Sequence, residues 1–496
     1  MPNILVIGGG TGLTTAYMLE NVMGFNVTLA EKSERYGGHI NSLDFGDHGI
    51  AEGGAEFIGA PESYPNVHKL FSMLGVKLKR FELNADLHKV SIEHGKEDHL
   101  VLPPVYHSAE KNKHSFSEFF SCFSPDDESQ KEIRIDFGTL LNKFSDLLKL
   151  EWEILRAEHE REPDDIHEVQ TLEEFMEGFK KKNMGFKEEE IDDFSNRILY
   201  PIVGAAWGIP ISEAKKFCAF YAMNYLALSK DWYDAPRGLS SYMEAMKTQC
   251  NNLDMRLNTE VTKLIAITDS KSIKYQAMLR DGTLMKTKKG EPMLFDDVVI
   301  STPAYATAAI LPDDIDAQDM QDLKKALKNV RYYDTTLAFH LDSLYAPPRG
   351  TVVHTRVEGD LAANTAQKDW KAKNGATPVK KTWVLPGQPM PNNILKTEHY
   401  KHPFMDKNYF IAQQKLHTMQ KKYGLYFGGI LGWKGDSHED ATIAALQAAR
   451  SIHLKHDRAP AANWRLQNFL DENSYVIERN NQLSVDEVNK RTCTLF

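Results

Sequence analysis

Apolar positions follow two rhythms along this chain, and the first thirty residues show both. The unbroken apolar run Ile4-Leu5-Val6-Ile7 stops at glycines, Thr14–Val22 carries helical spacing, and a second strand-like stretch, Asn26–Ala30, ends on Glu31. That pattern predicts strand, glycine turn, helix, strand. Helical spacing recurs at "NVHKLFSMLGV" (66–76). From about residue 80 to 234 charge-rich helical runs, such as those at 147–165 and 180–194, alternate with apolar pieces such as "ILYPIVGAAWGIP" (198–210). The charge runs predict solvated helix faces. Strand patterns return at 255–267, 275–283, 296–304, 333–342 and 380–387, and residues 424–454 predict strand, loop and capped helix before a polar tail. One architecture accounts for this return: a nucleotide domain assembled from separated segments, with a substrate domain between them.

A strand that ends in glycines and opens a helix aims backbone N–H groups and the positive helix end at one point, which suits a pyrophosphate. The glycines here, Gly8, Gly10 and Gly12, place the third one residue early for G-x-G-x-x-G. Either Gly12 keeps the close helix–strand contact in a tightened turn, or Leu13 takes that place and Gly12 is incidental. Gly10 lies nearest the phosphates in both registers, with Thr11 beside it. Glu31 closes the next strand 23 positions after Gly8, where an acid meets ribose hydroxyls.

Composition narrows the field further. Hydrophobic residues make up 42% and charged residues 26% of 496, as in an ordinary globular protein with more than one core. A net charge of −10 argues against a nucleic-acid surface. The four cysteines, Cys122, Cys218, Cys250 and Cys493, form no C-x-x-C pair, so neither zinc nor a disulfide framework is expected and a reducing, cytoplasmic setting is. No secretory leader or apolar run of spanning length is visible. The terminal Cys493-Thr494-Leu495-Phe496 fits a prenylation signal, an anchor that is weak on its own. The chain lacks H-E-x-x-H, G-x-S-x-G and Walker motifs, and no metal site is expected.

"EKSERYGGHI" (31–40) resembles the E-x(3)-R-x-G-G-[RKH] continuation of the flavin-containing amine oxidase and phytoene desaturase superfamily. "AEGGAEFI" (51–58) resembles that superfamily's next element, and "GLYFGGILGWKGDSHEDATIAALQAAR" (424–450) its closing one. The resemblance implies FAD as cofactor and a discontinuous Rossmann-type, glutathione-reductase-like FAD domain with an inserted α+β substrate domain. It adds Lys32, Gly37, Gly38 and His39 around the cofactor, then Gly54, Ala55 and Glu56 under the flavin, and Val261. In the closing element it adds Gly429, Ser437, Glu439 and Ala441, where a helix N-terminus points at the flavin. Asp436 or Ser437 is positioned to cap that helix.

More of the chain is similar to a bacterial group described as predicted NAD/FAD-binding, amine-oxidase-like proteins. "YPNVHKLFSMLGV" (64–76), "YPIVGAAWGIP" (200–210), "WYDAPRGLSSYMEAM" (232–246), "LAFHLDSLYAPPR" (337–349) and "YKHPFMDKNYFIAQQKL" (400–416) follow its order. The expected FAD-domain segments are 1–78, 235–311 and 415–455, the substrate-domain segments 79–234 (helical) and 312–414 (sheet), and the tail 456–496. Departures matter as well. Where many amine oxidases carry a lysine near flavin N5, this chain has Thr335 and Thr336, and the closing loop offers only Trp433 in place of paired tyrosines.

The expectation is an FAD-dependent oxidoreductase that moves hydride between substrate carbon and flavin N5. Its small-molecule substrate would be an amine or a partly hydrophobic compound such as a lipid. His340 is the candidate proton donor or acceptor, provided the polar face of "LAFHLD" looks toward the flavin, and Trp433 is a candidate pocket wall. Two alternatives stand beside this one: a flavin-dependent isomerase or mutase without net redox, and a membrane-associated effector, anchored through Cys493, that keeps FAD structurally.

Overall fold

The computed structural model describes residues 1–61, 63–81, 83–93, 96–107, 170–181, 187–219, 221–222, 232–268, 272–343, 345, 352–432 and 436–456. Five parallel strands, β1 (Asn3–Ile7), β2 (Asn26–Ala30), β10 (Asp254–Arg256), β13 (Asp297–Ile300) and β19 (Leu425–Phe427), form one sheet in the order β10-β2-β1-β13-β19. The last four residues of β1 and of β2 are buried, as expected when both faces of a parallel sheet are covered. The five strands come from the beginning, the middle and the end of the chain.

The second sheet has seven strands in the order β18-β14-β17-β16-β15-β7-β8. They are β7 (Asn84–Glu93), β8 (Lys96–His107), β14 (Tyr332–His340), β15 (Val353–Glu358), β16 (Leu361–Gln367), β17 (Lys380–Val384) and β18 (Ile394–Pro403). All its pairs are antiparallel except β15 with β7. Smaller pieces complete the strands: the hairpins β3 (Ser42–Asp44) with β4 (Ile50–Glu52) and β11 (Val261–Thr268) with β12 (Ile273–Leu279), and the trio β5 (Ile58–Gly59), β9 (Trp232–Asp234) and β6 (Lys79–Phe81).

Two predicted elements are revised. The first helix, α1 (Thr11–Tyr17), starts directly after Gly10 and continues as a π turn over Met18–Val22. A π turn takes one more residue than an α turn. The residue missing from the glycine turn is therefore regained inside the helix, and Glu31 still falls at the end of β2. The single strand predicted for 255–267 is two strands in different sheets. Asn258, at φ 50, breaks it in a left-handed conformation that asparagine tolerates. Helix α2 (Pro65–Met73) matches its predicted spacing. The helices after it include α3 (Tyr200–Trp207), α4 (Lys407–Met419) and α5 (His438–Lys455). The predicted helical run at 147–165 lies outside the described residues.

Candidate functional site

The carboxyl edge of the parallel sheet is walled by glycine. Gly8, at φ 99, donates its N–H to the Ala30 carbonyl (2.9 Å), and a Cβ there would sit 2.5 Å from the Ser301 carbonyl oxygen. A Cβ on Gly12 would lie 3.1 Å from Val6 Cγ1 and 3.3 Å from Ser301 Cβ, so Gly12 makes the close helix–strand contact. Leu13 is simply core. Glu31 Oε2 accepts from Gly9 N (2.6 Å) and Oε1 from Ser33 N (2.8 Å), which fixes the carboxylate at the strand end. Thr259 N reaches the Glu31 carbonyl (2.8 Å) and Asn258 N the Ser33 carbonyl (3.0 Å), so the approach to Val261 runs alongside.

The next loop closes onto this turn. Arg35 donates to the Gly38 carbonyl (3.0 Å) and the Ile40 carbonyl (3.2 Å), curling residues 36–40 around its guanidinium. Gly37 N donates to the Gly9 carbonyl (2.8 Å), and Gly38, at φ 56, stands where a Cβ would be 3.3 Å from Gly10 Cα. A Cβ on Gly54 would collide with the His39 carbonyl, and Gly429, at φ 78, faces Thr11. Ser301 Oγ is buried here with no hydrogen-bond partner among the described residues. Amides at a helix start, a fixed carboxylate, an unpartnered hydroxyl and glycine walls together suit the pyrophosphate and ribose of a dinucleotide.

One face of the seven-stranded sheet looks toward this loop cluster. Register places Thr335 opposite Tyr400, Leu337 opposite Trp383, and Phe339 opposite Lys381, so these side chains share a face. Phe339 stacks on Phe45 of the β3–β4 connection, at 5.4 Å between ring centroids. His39 meets Tyr400 edge-on at 5.0 Å and lies over His402 at 6.3 Å, while Trp383 meets His402 at 4.7 Å. Enclosure of His402, with His39 and Lys381 beside it, holds its pKa down to about 3, so the ring is neutral. It hydrogen-bonds the Trp207 backbone, and its Nδ1 has no partner among the described residues.

Trp207 ends α3, donates Nε1–H to Asp436 Oδ2 (2.7 Å), and ties the sheet edge to the closing loop. Burial, with Asp440 adding, raises the Asp436 pKa to about 6. Behind the aromatic cluster runs a buried chain of alternating charge. Lys381 pairs with Glu56 and donates to the Gly54 carbonyl (3.2 Å); Lys368 joins Glu56 (2.9 Å) to Asp234 (3.0 Å); Lys371 pairs with Asp234 (2.7 Å). The three lysines and Asp234 are all more than nine-tenths buried, which only such mutual pairing makes tolerable.

His340 is turned away from this face. Its ring is fully buried, with Nε2 2.8 Å from Thr382 Oγ1 and Nδ1 accepting from Asp342 N (3.1 Å). Burial, with Lys380 adding, lowers its pKa to about 4. The expected alternation holds, and the condition placed on His340, that its face look toward the loops, is not met. The apolar face, Leu337 and Phe339, points to the loops, and the polar face points to the far side. Glu439 is also committed elsewhere: its carboxylate accepts from Asn66 N (3.0 Å), Asn66 Nδ2 (2.5 Å) and Val67 N (2.9 Å), capping α2 from the first turn of α5.

Ser437 caps α5 in a reciprocal box with Asp440, whereas Asp436 turns to Trp207. Ala441 and Val261 are buried, Gly54, Ala55 and Glu56 are half-buried, and Lys32 is exposed. Trp433 and Cys493 lie outside the described residues. The sequence reading missed Lys381, Trp383, Tyr400 and His402. Alternation in "KKTWV" pairs the first two on one face, but only cross-strand register joins them to β18.

A parallel sheet ending in a glycine turn, with an acid at the neighbouring strand end, defines the dinucleotide-binding class. A model of the flavin-containing amine oxidoreductase family matches residues 11–341, and the chain belongs to that family, whose cofactor is FAD. Solved structures agree in fold. Cyclohexylamine oxidase from Brevibacterium oxydans IH-35A superposes with a TM-score of 0.58 at 13% identity, covering 92% of this chain and 100% of its own. A CLA-producing fatty acid isomerase from P. acnes gives 0.58 at 13% identity, with 90% and 98% covered. A provisionally named protoporphyrinogen oxidase from Exiguobacterium sp. 255-15 gives 0.55 at 15% identity, with 92% and 99% covered. A sequence search of curated proteins finds no match. Among the described residues, no helix is long and apolar enough to cross a membrane.

Proposed function

We propose that this flavoprotein is an FAD-dependent oxidoreductase that passes hydride between a substrate carbon and the flavin, with the aromatic sheet face as the substrate wall. The observation that carries the reading is the facing of two surfaces: the glycine-walled turn with Glu31, and the strand face bearing Trp383, Tyr400 and His402. The amides of Gly8–Gly12 and the Thr11 hydroxyl would hold the pyrophosphate, and Glu31 the ribose. Gly37, Gly38, His39, Gly54 and Ala55 would flank the rest of the cofactor, with Gly429 and Ser437 on the closing side. The FAD domain is assigned to 1–78, 235–311 and 415–455, and the substrate domain to 79–234 and 312–414.

Bound flavin supplies the hydride acceptor or donor at N5. The chain's own residues position substrate and keep water out. Lys381 and Glu56 hold the 54–56 loop against the sheet, and the Trp207–Asp436 bond closes the edge between α3 and the closing loop. Neutral His402 leaves Nδ1 as an acceptor, and Thr335 Oγ1 is a second buried polar atom with no partner among the described residues. Such a wall suits an apolar body carrying one N–H or O–H at the reacting carbon, as in an amine or an apolar alcohol. The test is reconstitution with FAD, followed by anaerobic bleaching of the flavin band near ~450 nm with panels of each. Protein that takes up no flavin refutes the reading. Conversion of a substrate to its isomer with no acceptor consumed replaces it with the isomerase reading.

A further inference from the structure

The seven-stranded sheet ends on a long free edge. Strand β18 pairs with β14 on one side, and no strand among the described residues pairs with its other side. Residues 392–397, 399 and 401 are exposed, and Ile394 and Leu395 keep 42% and 43% of their surface in solvent. An open edge of this length is a template for another strand, and proteins usually blunt it with like charge. Here the charges alternate instead. Lys396 and Glu398 sit two apart and form an ion pair along the strand at 2.9 Å, with Lys396 exposed and Glu398 half-buried.

We propose that β18 is a homodimer interface, in which two copies join their sheets by antiparallel pairing about a two-fold axis through Thr397. That axis sets Lys396 opposite Glu398 of the second copy, twice, and lies two residues from the bulge at Leu395. An axis through Lys396 or Glu398 would set like charges face to face. The edge is therefore self-complementary in one register, as a closed two-fold contact requires. Main-chain hydrogen bonds supply the attraction and the charges set the register. Tyr400 of the same strand meets His39, so dimerisation would cover the outer strand of the substrate wall.

Light scattering on the full chain should give twice the chain mass at micromolar concentration. Lys396→Glu sets acids opposite one another and should weaken the dimer about tenfold or more, and the swapped pair Lys396→Glu/Glu398→Lys should restore it. Thr397→Cys should form a disulfide-linked dimer on oxidation, because facing Cα atoms in antiparallel strands lie about 4.5–5.5 Å apart, within disulfide reach. Unchanged circular dichroism confirms that each variant folds. A monomeric wild type, a dimer indifferent to Lys396→Glu, or failure of Thr397→Cys to cross-link overturns the proposal.

Discussion

Lys368→Met tests the buried charge chain. Lys368 Nζ has 4% side-chain exposure, sits between Glu56 and Asp234 at 2.9 and 3.0 Å, and donates to the Glu56 carbonyl at 3.1 Å. It also lies 5.0 Å from the Phe57 ring centroid. Methionine keeps the volume and removes the charge. Breaking a buried pair by removing one partner costs about 3–5 kcal/mol. Each carboxylate keeps a second lysine, Lys381 for Glu56 and Lys371 for Asp234, so the low end, about 3 kcal/mol, is expected. With unfolding entropy near ~2.1 cal/mol/K per residue, a chain of this length should melt about 3 °C lower by calorimetry. Lys368→Met/Asp234→Asn should lose less than the two single variants summed, because the second change removes an acid left with one partner. A fall in midpoint below about 1 °C, or strict additivity, would refute the view that these charges are held by one another.

Further outcomes follow from the same geometry. His340→Leu should cost about 1–3 kcal/mol, since the Asp342 amide loses its acceptor, yet leave the rate of anaerobic flavin reduction unchanged; a large rate loss would return His340 to the chemistry. Because burial lowers His340 and His438 to about 4 and His402 to about 3, stability present above about pH 6.5 should drain away as pH falls through 4, visible in denaturation midpoints. The sign reverses for Glu439, which burial raises to about 7: its contribution is full below about 4.5 and is lost as pH rises through 7. Glu439→Gln should flatten that limb, and an unchanged slope would rule the residue out. Gly38→Ala, strained at φ 56 and 3.3 Å from Gly10 Cα, should weaken FAD retention about tenfold or more, read from the flavin-to-protein absorbance ratio.

Local chemistry made much of this protein legible in one dimension. Stretches such as Ile4–Ile7 and Asn26–Ala30 suit strands covered on both faces, as in a parallel sheet, and glycines between strand and helix leave backbone amides exposed to an anion. With Glu31, that was enough to predict a dinucleotide fold, and the resemblance of the 31–40 loop and the closing element to the amine oxidase superfamily implied FAD, which the family match bears out. The register of the shortened turn stayed open until packing was known. Gly12 against Val6 and Ser301 resolves it, and the π turn at Met18–Val22 shows where the lost residue went.

What tertiary structure alone decided is direction. A strand's period of two sorts side chains onto two faces but does not say which face meets a partner sheet or loop. The direction of His340 was therefore open in sequence, and the contacts of Phe339 with Phe45 and of His340 with Thr382 show which face meets the loops. Lys381, Trp383, Tyr400 and His402 come from separate strands and become neighbours only through hydrogen-bonded pairing. Glu439 differs for another reason: its role depends on α2, 373 positions away. Backbone propensity and burial act over a few residues and can be read in order; the joining of distant segments is a property of packing, and it is there that the site was made.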